Sequence, residues 1–447
     1  MKTNHVTRRG FLTCSAMGAG MAALPTFITG CSSSDKEASW KPVDFPVYPD
    51  QAADGKPLKA GLIGCGSRGT GAAVDFLKSG NGLSVTVLAD VLKDRQDACR
   101  ERLKEEGQEI PDDRCFIGFD AYQKVLESDV DVVLLCTPPP FRPMHFDEAV
   151  KANKHIFMEK PCAVDPVGAR SILVSAKRAE QQQLCVISGT VYRSQKNIVE
   201  TWRRVAGGAI GDFVNAHVVR KGGALWHKKR QPEWCDMEYM LRNWINFSWL
   251  SGDHFVENFI HELDQMSWFI GQYPVKASAN GGCHRQHNVG NQFDFFSVEY
   301  EYADKMRACC STRKLDGCFN ERGVWVYGTK GYTNCTDTIF DLKGNIIWKY
   351  PEPKPEDADQ TWKVTNPFVV EHARLVTAIR TNQPVNDAEA HVKSTLLAIM
   401  GRMAAYTGKA VTWDEVMAST LKIGPETYAM GPVAGVPETP PVPGNTP

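Results

Sequence analysis

The chain has 447 residues and is almost electrically neutral, because 51 lysines and arginines stand against 52 aspartates and glutamates and leave a formal net charge of -1. No basic run or stripe occurs, so neither the amount nor the distribution of charge indicates a nucleic-acid partner. At ~150 residues per domain, the length predicts two domains with room for a large core.

The first 31 residues have the features of an export signal rather than of a folded element. Arg8 and Arg9 precede a small and apolar run, 17–28, that is too short to span a bilayer. The arginine pair in "RRGFL" resembles the signal of the twin-arginine pathway, and "ITGC", which ends at Cys31, resembles a lipoprotein cleavage box. We therefore expect a periplasmic protein held on a membrane through an acylated Cys31. An ordinary secretory peptide or a basic disordered tail is the alternative.

The 14 cysteines predict neither a disulfide framework nor a metal site. Cys65, Cys136, Cys162 and Cys185 lie in or beside predicted strands, where cysteine acts as a small apolar residue. No CxxC pair and no spaced ligand set for zinc occurs. A protein that folds before twin-arginine export would not need disulfides to fold, and we expect no metal.

A nucleotide-binding domain is predicted over 57–188, after a tether over 32–56. The stretch "LKAGLIGCGSRGTGAAVDFL" places Gly64, Gly66 and Gly69 in GxGxxG spacing between a strand and a helix. In such a turn the first glycine permits the bend and the second lets a pyrophosphate approach the backbone. The third glycine lets the helix pack on the strand.

The next predicted strand, "SVTVLADV", ends in Asp90, 21 residues after Gly69. A carboxylate there can accept hydrogen bonds from both hydroxyls of an adenosine ribose and disfavours a 2'-phosphate. Lys93 and Arg95 follow closely and weaken that discrimination. The sequence thus favours NAD over NADP. A helix cap at the end of the strand is the alternative role for Asp90.

Strands and helices then alternate in a way that is typical of a parallel, doubly wound sheet. The strands are "RCFIGF", "VDVVLLCTPP", "HIFMEKP" and "QLCVISGT", and the helices are predicted over 121–127, 145–152 and 166–180. Ligands of such sheets collect at the carboxyl ends of the strands. Thr137, Pro138, Glu159 and Lys160 are therefore expected at the same edge as the glycine turn.

Three stretches carry a family resemblance: "GLIGCGSRG", "LLCTPPPFRPMHFDEAVKANKHIFMEKP" and "IHELDQMSWF". They resemble the Gfo/Idh/MocA oxidoreductases, and the resemblance covers almost all of the chain after the tether. It implies a Rossmann domain followed by an α+β domain with a large, mostly antiparallel open sheet. It also implies that Lys160 lies beside the nicotinamide and the substrate, and that Pro161 follows a cis peptide bond. The expected cofactor-binding residues are Gly64, Gly66, Ser67, Arg68, Gly69, Asp90, Thr137, Pro138, Glu159 and Lys160.

The pattern changes at residue 189, and 189–430 is predicted to be the α+β domain. "FDFFSVEYEY", "MRACCSTRK", "ERGVWVYGT" and "NIIWKY" alternate with period 2, which indicates an antiparallel sheet with one covered face. Helices predicted over 369–380 and 390–406 are expected to pack back on the first domain. The proline-rich residues 431–447 are expected to form an extended tail.

The chemistry is expected on a helix predicted over 257–270. Glu257, His261 and Asp264 are spaced i, i+4 and i+7, so one helix would present them on one face. In the family that the chain resembles, an aspartate stands where this chain has Glu257, whereas His261 and Asp264 match. Which acid assists proton transfer is therefore open.

Oxidation of a sugar hydroxyl needs a base for the proton and a donor that stabilises the developing alkoxide. We expect His261 to be the base and the Lys160 ammonium to be the donor, and a desolvated lysine base remains the alternative. The candidates for the substrate pocket are Tyr192, Arg193, Trp226 and His254.

The function predicted from these observations is that of an exported NAD(P)-dependent oxidoreductase acting on a sugar or glycoside hydroxyl, with a 3-keto glycoside as one product. Because the periplasm has no ample pool of free dinucleotide, we expect the cofactor to be held tightly and recycled. One alternative is an NAD-dependent glycosidase like those of family 109, and another is a non-catalytic sugar-binding lipoprotein. An open sheet face would suit a homodimer or homotetramer.

Overall fold

The computed structural model describes residues 40–46, 48–285, 289–351 and 366–444. The export signal, Cys31 and the first part of the predicted tether lie outside the described residues. Among the described residues, no helix combines the length and the apolar character that a bilayer span requires.

The first domain is a parallel sheet of six strands in the order β3-β2-β1-β4-β5-β6. Its strands are β1 Leu58–Ile63, β2 Leu83–Asp90, β3 Cys115–Ile117, β4 Val132–Leu135, β5 His155–Met158 and β6 Val186–Ser188. Its helices are α1 Ser67–Lys78, α2 Lys93–Glu105, α3 Ala121–Glu127, α4 Arg142–Lys151 and α5 Pro166–Gln181. The central strand β4 is buried at every position, as its unbroken apolar run predicts for a sheet covered on both faces. The sheet therefore matches the predicted doubly wound architecture.

The second domain is built on a nine-stranded sheet in the order β14-β13-β12-β11-β7-β10-β9-β8-β15. Its strands are β7 Phe213–Gly222, β8 Lys276–Gly282, β9 Phe295–Glu301, β10 Arg307–Lys314, β11 Glu321–Gly328, β12 Gly331–Thr333, β13 Thr338–Asp341, β14 Ile346–Lys349 and β15 Val411–Thr412. Its helices are α6 Lys196–Ala206, α7 Asp236–Arg242, α8 Ser248–Ser251, α9 His254–Glu257, α10 Ile260–Ile270, α11 Pro367–Arg380, α12 Ala388–Thr407 and α13 Trp413–Ala418. Adjacent strands are antiparallel except β7 and β10, which run parallel. The sheet is thus mostly antiparallel, as predicted.

The two long C-terminal helices pack back on the first domain. Leu375, Val376 and Ile379 of α11 join α1 and α2 in the apolar core on one face of the six-stranded sheet. Helix α12 packs against α5 on the other side of that domain. Helix α11, from the far end of the chain, therefore completes the apolar core that α1 and α2 form on one face of the first domain's sheet.

The helix predicted over 257–270 is divided in the structure. Helix α9 ends at Glu257 and α10 begins at Ile260, with a turn at Asn258 and Phe259 between them. The prediction of one helix was therefore wrong, and Glu257 does not share a helix face with His261.

The described part of the predicted tether, 40–46 and 48–56, is bound to the folded protein. Phe45 packs on Trp202 with ring centroids 4.9 Å apart, and Asp50 forms an ion pair of 3.0 Å with Lys196. The backbone nitrogen of Ala52 donates to the carbonyl of Ser79 at 2.7 Å. These contacts contradict a free tether.

The described part of the proline-rich C-terminal segment, 431–444, packs on the folded protein. The Gly431 carbonyl accepts from the Met237 nitrogen at 3.0 Å, and the Pro437 carbonyl accepts from Asn291 Nδ2 at 2.8 Å. Just before this segment, the Tyr428 ring packs against Phe141 at 4.8 Å. The prediction of an extended tail thus did not include these contacts, which bind residues 431–444 to the folded protein.

Candidate active site

A cavity of about 500 Å³ lies at the carboxyl edge of the six-stranded sheet, where the second domain faces it. Predicted site residues on its wall are Gly64, Gly66, Ser67, Arg68, Gly69, Asp90, Thr137, Pro138, Glu159, Lys160, Trp226, Glu257 and His261. The carboxyl ends of parallel strands meet at this edge, and the structure brings together there residues that are up to 197 positions apart in the sequence, from Gly64 to His261.

The glycine turn follows β1 directly, and its three glycines differ in how much space a side chain would have. Gly64 has φ of +98°, and a Cβ on it would lie 2.7 Å from the backbone of Thr137. A Cβ on Gly69 would lie 1.8 Å from the Gly64 carbonyl oxygen, so no side chain fits between helix and strand. A Cβ on Gly66 would meet only Arg95 Nη1, at 3.4 Å. Gly66 is therefore the position where the backbone is open toward the cavity.

The carboxylate of Asp90 stabilises this turn. Its Oδ2 accepts from the Cys65 nitrogen at 2.6 Å, and its Oδ1 accepts from the Leu92 nitrogen at 2.8 Å. Burial raises the pKa of Asp90 from its ordinary value, although these backbone donors act in the opposite direction. Each carboxylate oxygen can accept more than one hydrogen bond, so both roles weighed for Asp90, cap and ribose acceptor, are compatible with the structure.

Lys160 joins the two domains at the cavity wall. Its Nζ donates to Glu257 Oε1 at 2.7 Å and to the Glu257 carbonyl oxygen at 2.9 Å. The peptide bond between Lys160 and Pro161 is cis. Glu257 thus holds the ammonium group in place through these two hydrogen bonds. Both side chains are largely shielded from water, because the lysine side chain is 14% exposed and the glutamate side chain 9%.

Glu159, the residue before this lysine, is buried and forms an ion pair with Arg68. Arg68 Nε donates to Glu159 Oε1 at 2.5 Å. Burial favours the protonated acid, but the charges of Arg68, Arg142 and Lys160 outweigh it and hold the pKa of Glu159 below its ordinary value. Glu159 is therefore ionised and fixes Arg68 beside the glycine turn.

His261 is the second residue of helix α10 in the second domain and reaches the same cavity as Lys160. Burial, together with the charges of Lys160, Arg220 and Arg322, lowers the pKa of His261 well below its ordinary value. The imidazole is consequently neutral at neutral pH and has a free lone pair on one ring nitrogen. It can accept a proton from a substrate hydroxyl.

Two family models match the chain. The model described as "Oxidoreductase family, NAD-binding Rossmann fold" matches residues 58–188, and the model of the GFO/IDH/MocA C-terminal domain matches residues 198–334. The chain belongs to the Gfo/Idh/MocA oxidoreductase family. Its first domain is an NAD-binding Rossmann domain, and NAD is its cofactor.

Curated relatives and a solved structure agree with this membership. An inositol 2-dehydrogenase of Rubrobacter xylanophilus is 25% identical over 295 residues, which are 66% of this chain and 74% of the relative. A 2,7-anhydro-N-acetylneuraminate hydratase of Escherichia coli K12 is 25% identical over 232 residues, 51% of this chain and 57% of that protein. The structure of scyllo-inositol dehydrogenase from Lactobacillus casei with bound NAD(H) and scyllo-inositol has a TM-score of 0.59 and 22% identity. It covers 81% of this chain and 100% of that one.

The residues of this Gfo/Idh/MocA protein fit a dinucleotide. The open backbone at Gly66, at the N-terminus of α1, suits a pyrophosphate, and Arg68 and Arg95 line the same wall. Asp90 stands where a ribose would be bound. Among the described residues, no group of three or more histidine, cysteine, aspartate or glutamate side chains is arranged to hold a metal ion.

Some predicted site residues do not reach the cavity in this family member. Arg193 Nε and Nη2 each donate to Asp264 at 2.9 Å, and Ser394 Oγ donates to the same carboxylate at 2.6 Å. Asp264 is 1% exposed. This pair holds α10 on neighbouring elements, and neither of its residues lines the cavity, in contrast to the prediction.

His254 and Tyr192 differ from the prediction in separate ways. His254 is fully buried, with its Nδ1 2.9 Å from Asp253 Oδ1, and belongs to the core. Tyr192 does not line the cavity but packs on the His261 ring, with centroids 5.5 Å apart. Burial and the nearby Glu262 raise the pKa of Tyr192 to about 12. Tyr192 is thus a neighbour of the histidine rather than part of the cavity wall.

Sequence reasoning missed two polar residues of the cavity, Arg142 and His145. Arg142 is 4% exposed and donates through Nη1 to the carbonyl of Pro161. His145 Nδ1 lies 3.2 Å from Thr137 Oγ1, and burial with the Arg142 charge lowers its pKa to about 3. Both follow the carboxyl end of β4 in "FRPMH", a position from which the edge rule could have identified them.

Proposed function

We propose that this protein is an exported NAD-dependent oxidoreductase that oxidises a ring hydroxyl of a sugar or glycoside, with a 3-keto glycoside as one product. The observation that carries the proposal is the presence of Lys160 and His261 on the wall of one cavity with the glycine turn. The inositol 2-dehydrogenase among the relatives supports a polyhydroxylated ring as substrate.

The side chains divide the work of proton transfer and charge stabilisation. The neutral imidazole of His261 accepts the proton of the substrate hydroxyl. The ammonium of Lys160, fixed by Glu257 at 2.7 Å, donates a hydrogen bond to the oxygen as negative charge develops on it. NAD, when bound, supplies the hydride acceptor. Trp226, 46% exposed at the cavity wall, offers a ring face for a sugar.

The proposal includes export, membrane anchoring and tight retention of the cofactor. The arginine pair Arg8–Arg9 and the box that ends at Cys31 favour twin-arginine transport of the folded protein and acylation. A protein outside the cytoplasm cannot exchange its dinucleotide with a pool, so retention and recycling within one site are part of the proposal, as is a homo-oligomer formed through the open sheet face.

The test is a panel of sugars, glycosides and inositols added to the purified protein with bound NAD⁺. We expect at least one member to generate the absorbance of the reduced nicotinamide, and a keto sugar to restore the oxidised form. A panel in which no member alters the redox state of the bound dinucleotide, at millimolar substrate, would contradict the oxidoreductase function.

A redox-neutral reaction is the second candidate, because one relative is named a hydratase. Oxidation followed by elimination or hydration and then reduction would leave NAD unchanged overall, as in the glycosidases of family 109. Release of nitrophenol from a nitrophenyl glycoside without net formation of NADH would favour this reaction over simple oxidation.

A further inference from the structure

Three cations lie on one face of the second sheet, beyond Lys160. Arg220 of β7 is paired in register with Arg322 of β11, and Lys314 of β10 is paired with Gly222 of β7. Paired positions, and positions two residues apart on a strand, project to the same face of a sheet. Arg220, Lys314 and Arg322 therefore point to the same side, and we call them the cationic cluster.

The cluster adjoins the proposed reacting groups. Arg220 Nη1 donates to Glu262 Oε1 at 2.9 Å, and Arg322 Nε donates to the same oxygen at 2.6 Å. Glu262 directly follows His261 on α10. The charges of both arginines also contribute to the low pKa of His261. The cluster therefore lies near His261, just outside the set of residues that line the cavity described above.

The carboxylates in this region do not balance its cations. The cations are Lys160, Arg220, Lys314 and Arg322, and the carboxylates are Glu257 and Glu262. Lys160 is neutralised by Glu257, and both arginines share Glu262. With His261 neutral and Lys314 ionised, four positive charges against two negative charges leave an excess of two. Unbalanced charge in a half-buried region is unfavourable unless a ligand of opposite charge binds.

Lys314 is the cation of the cluster that lacks a neutralising carboxylate among the described residues. It is 9% exposed, and within the part of the chain that the structure describes its Nζ forms no hydrogen bond or ion pair. A Cβ on Gly222 would lie 3.6 Å from this Nζ, so the neighbouring strand leaves space beside the ammonium. Burial, followed by the charge of Arg220, lowers the pKa of Lys314 to about 8. Glu257 and Glu262 attract this ammonium, but neither forms an ion pair with it.

We propose that the cationic cluster of Arg220, Lys314 and Arg322 binds an anionic substituent of the substrate, so that the substrate is a sugar bearing a carboxylate or a sulfate. This inference rests on the proposed function, because it specifies the substrate class of the same site. The anionic group lies against Lys314, and the hydroxyl that is oxidised faces Lys160 and His261.

The experiment compares matched sugars on the NAD-bound protein. Methyl glycosides of glucose, galactose and mannose are each tested beside the corresponding uronide and 6-sulfate. Calorimetry gives the Kd, and the appearance of reduced nicotinamide gives kcat/KM. At least one uronide or sulfate is expected to bind tenfold or more tightly than its neutral parent, and the preferred anion identifies the substituent. If no anionic sugar binds more tightly than its parent, the inference is wrong.

Two lysine variants show whether the preference arises from the cluster. Lys314→Met should reduce the ratio of kcat/KM for the anionic and neutral sugars about tenfold. Lys221→Met is the matched control, because Lys221 is on the opposite face of β7 and pairs with Glu321 at 3.2 Å. It should leave the ratio unchanged. An equal loss for both sugars in Lys314→Met would contradict the inference.

Failure of the inference can be distinguished from failure of the proposed function. Neutral sugars that are oxidised without an anionic preference would leave the function intact and overturn the inference. Tight binding of an anionic sugar without any change in the redox state of NAD would support the cluster and overturn the oxidoreductase function.

Discussion

At the scale of the residue, Lys160 is held at the cavity wall by contacts from both domains. Its backbone follows β5 at the edge of the Rossmann sheet, and its ammonium is held by Glu257 at the end of α9. Glu257 was predicted as a possible proton-transfer acid. The structure shows it bound to the lysine, which makes its role one of orienting the ammonium toward the cavity.

At this scale we predict the effects of Lys160→Met. Turnover should fall about 10²- to 10³-fold, because the charge that stabilises the alkoxide is lost. The unpaired Glu257 should lower the free energy of unfolding by about 3 kcal/mol. Steady-state kinetics and thermal unfolding check both values.

The double variant Lys160→Met/Glu257→Gln separates the two effects. It should regain most of the stability without regaining turnover, since the buried charge is removed while the ammonium is still missing. Lys151→Met, at a lysine on the protein surface paired with Asp147 and Glu148, should change neither property. Recovery of turnover in the double variant would contradict a chemical role for the ammonium.

At the scale of elements, different glycines of the turn between β1 and α1 serve folding and cofactor binding. Gly64 and Gly69 are required by the packing of backbone on backbone, whereas Gly66 is open toward the cavity. The spacing of these glycines was readable from the sequence because it is a local pattern. Only the structure shows which of these glycines is open toward the cavity.

Gly66→Ala should therefore weaken NAD binding at least about tenfold without lowering the melting temperature, because the new methyl group would occupy the approach of the pyrophosphate. Gly71→Ala, inside helix α1, is the matched control. Its Cβ would meet only Arg68 Nη1 at 3.5 Å. It should retain NAD affinity and gain about 0.5–1 kcal/mol of stability. Fluorescence titration with NADH and thermal unfolding are the measurements, and equal NAD affinity in both variants would contradict this reading of the turn.

Local patterns predicted the elements of this protein better than their junctions. The glycine turn, Asp90 and Lys160 were placed correctly at one sheet edge because strand ends follow from hydrophobic runs. The break between α9 and α10 was not predicted, since residues 258–259 contain neither glycine nor proline. The pairing of Arg193 with Asp264 was also missed, because the two residues are 71 positions apart and only tertiary packing brings them together.

At the scale of the whole molecule, segments that are distant in the sequence complete the packing of each domain. Helix α11, from the C-terminal part of the chain, covers one face of the Rossmann sheet, and residues before β1 bind to both α1 and α6. Such long-range packing leaves no periodic signal that assigns an element to a particular domain. Lys160 and His261 are thus contributed by different domains to the wall of one cavity.

A crystal structure of the protein with bound NAD would test the convergence of Lys160 and His261 on the nicotinamide most directly. We expect the pyrophosphate to lie over Gly66, the ribose to contact Asp90, and the nicotinamide ring to lie in contact with both Lys160 Nζ and the His261 imidazole. A nicotinamide that occupies another part of the cavity, with Lys160 and His261 remote from its ring, would contradict the account.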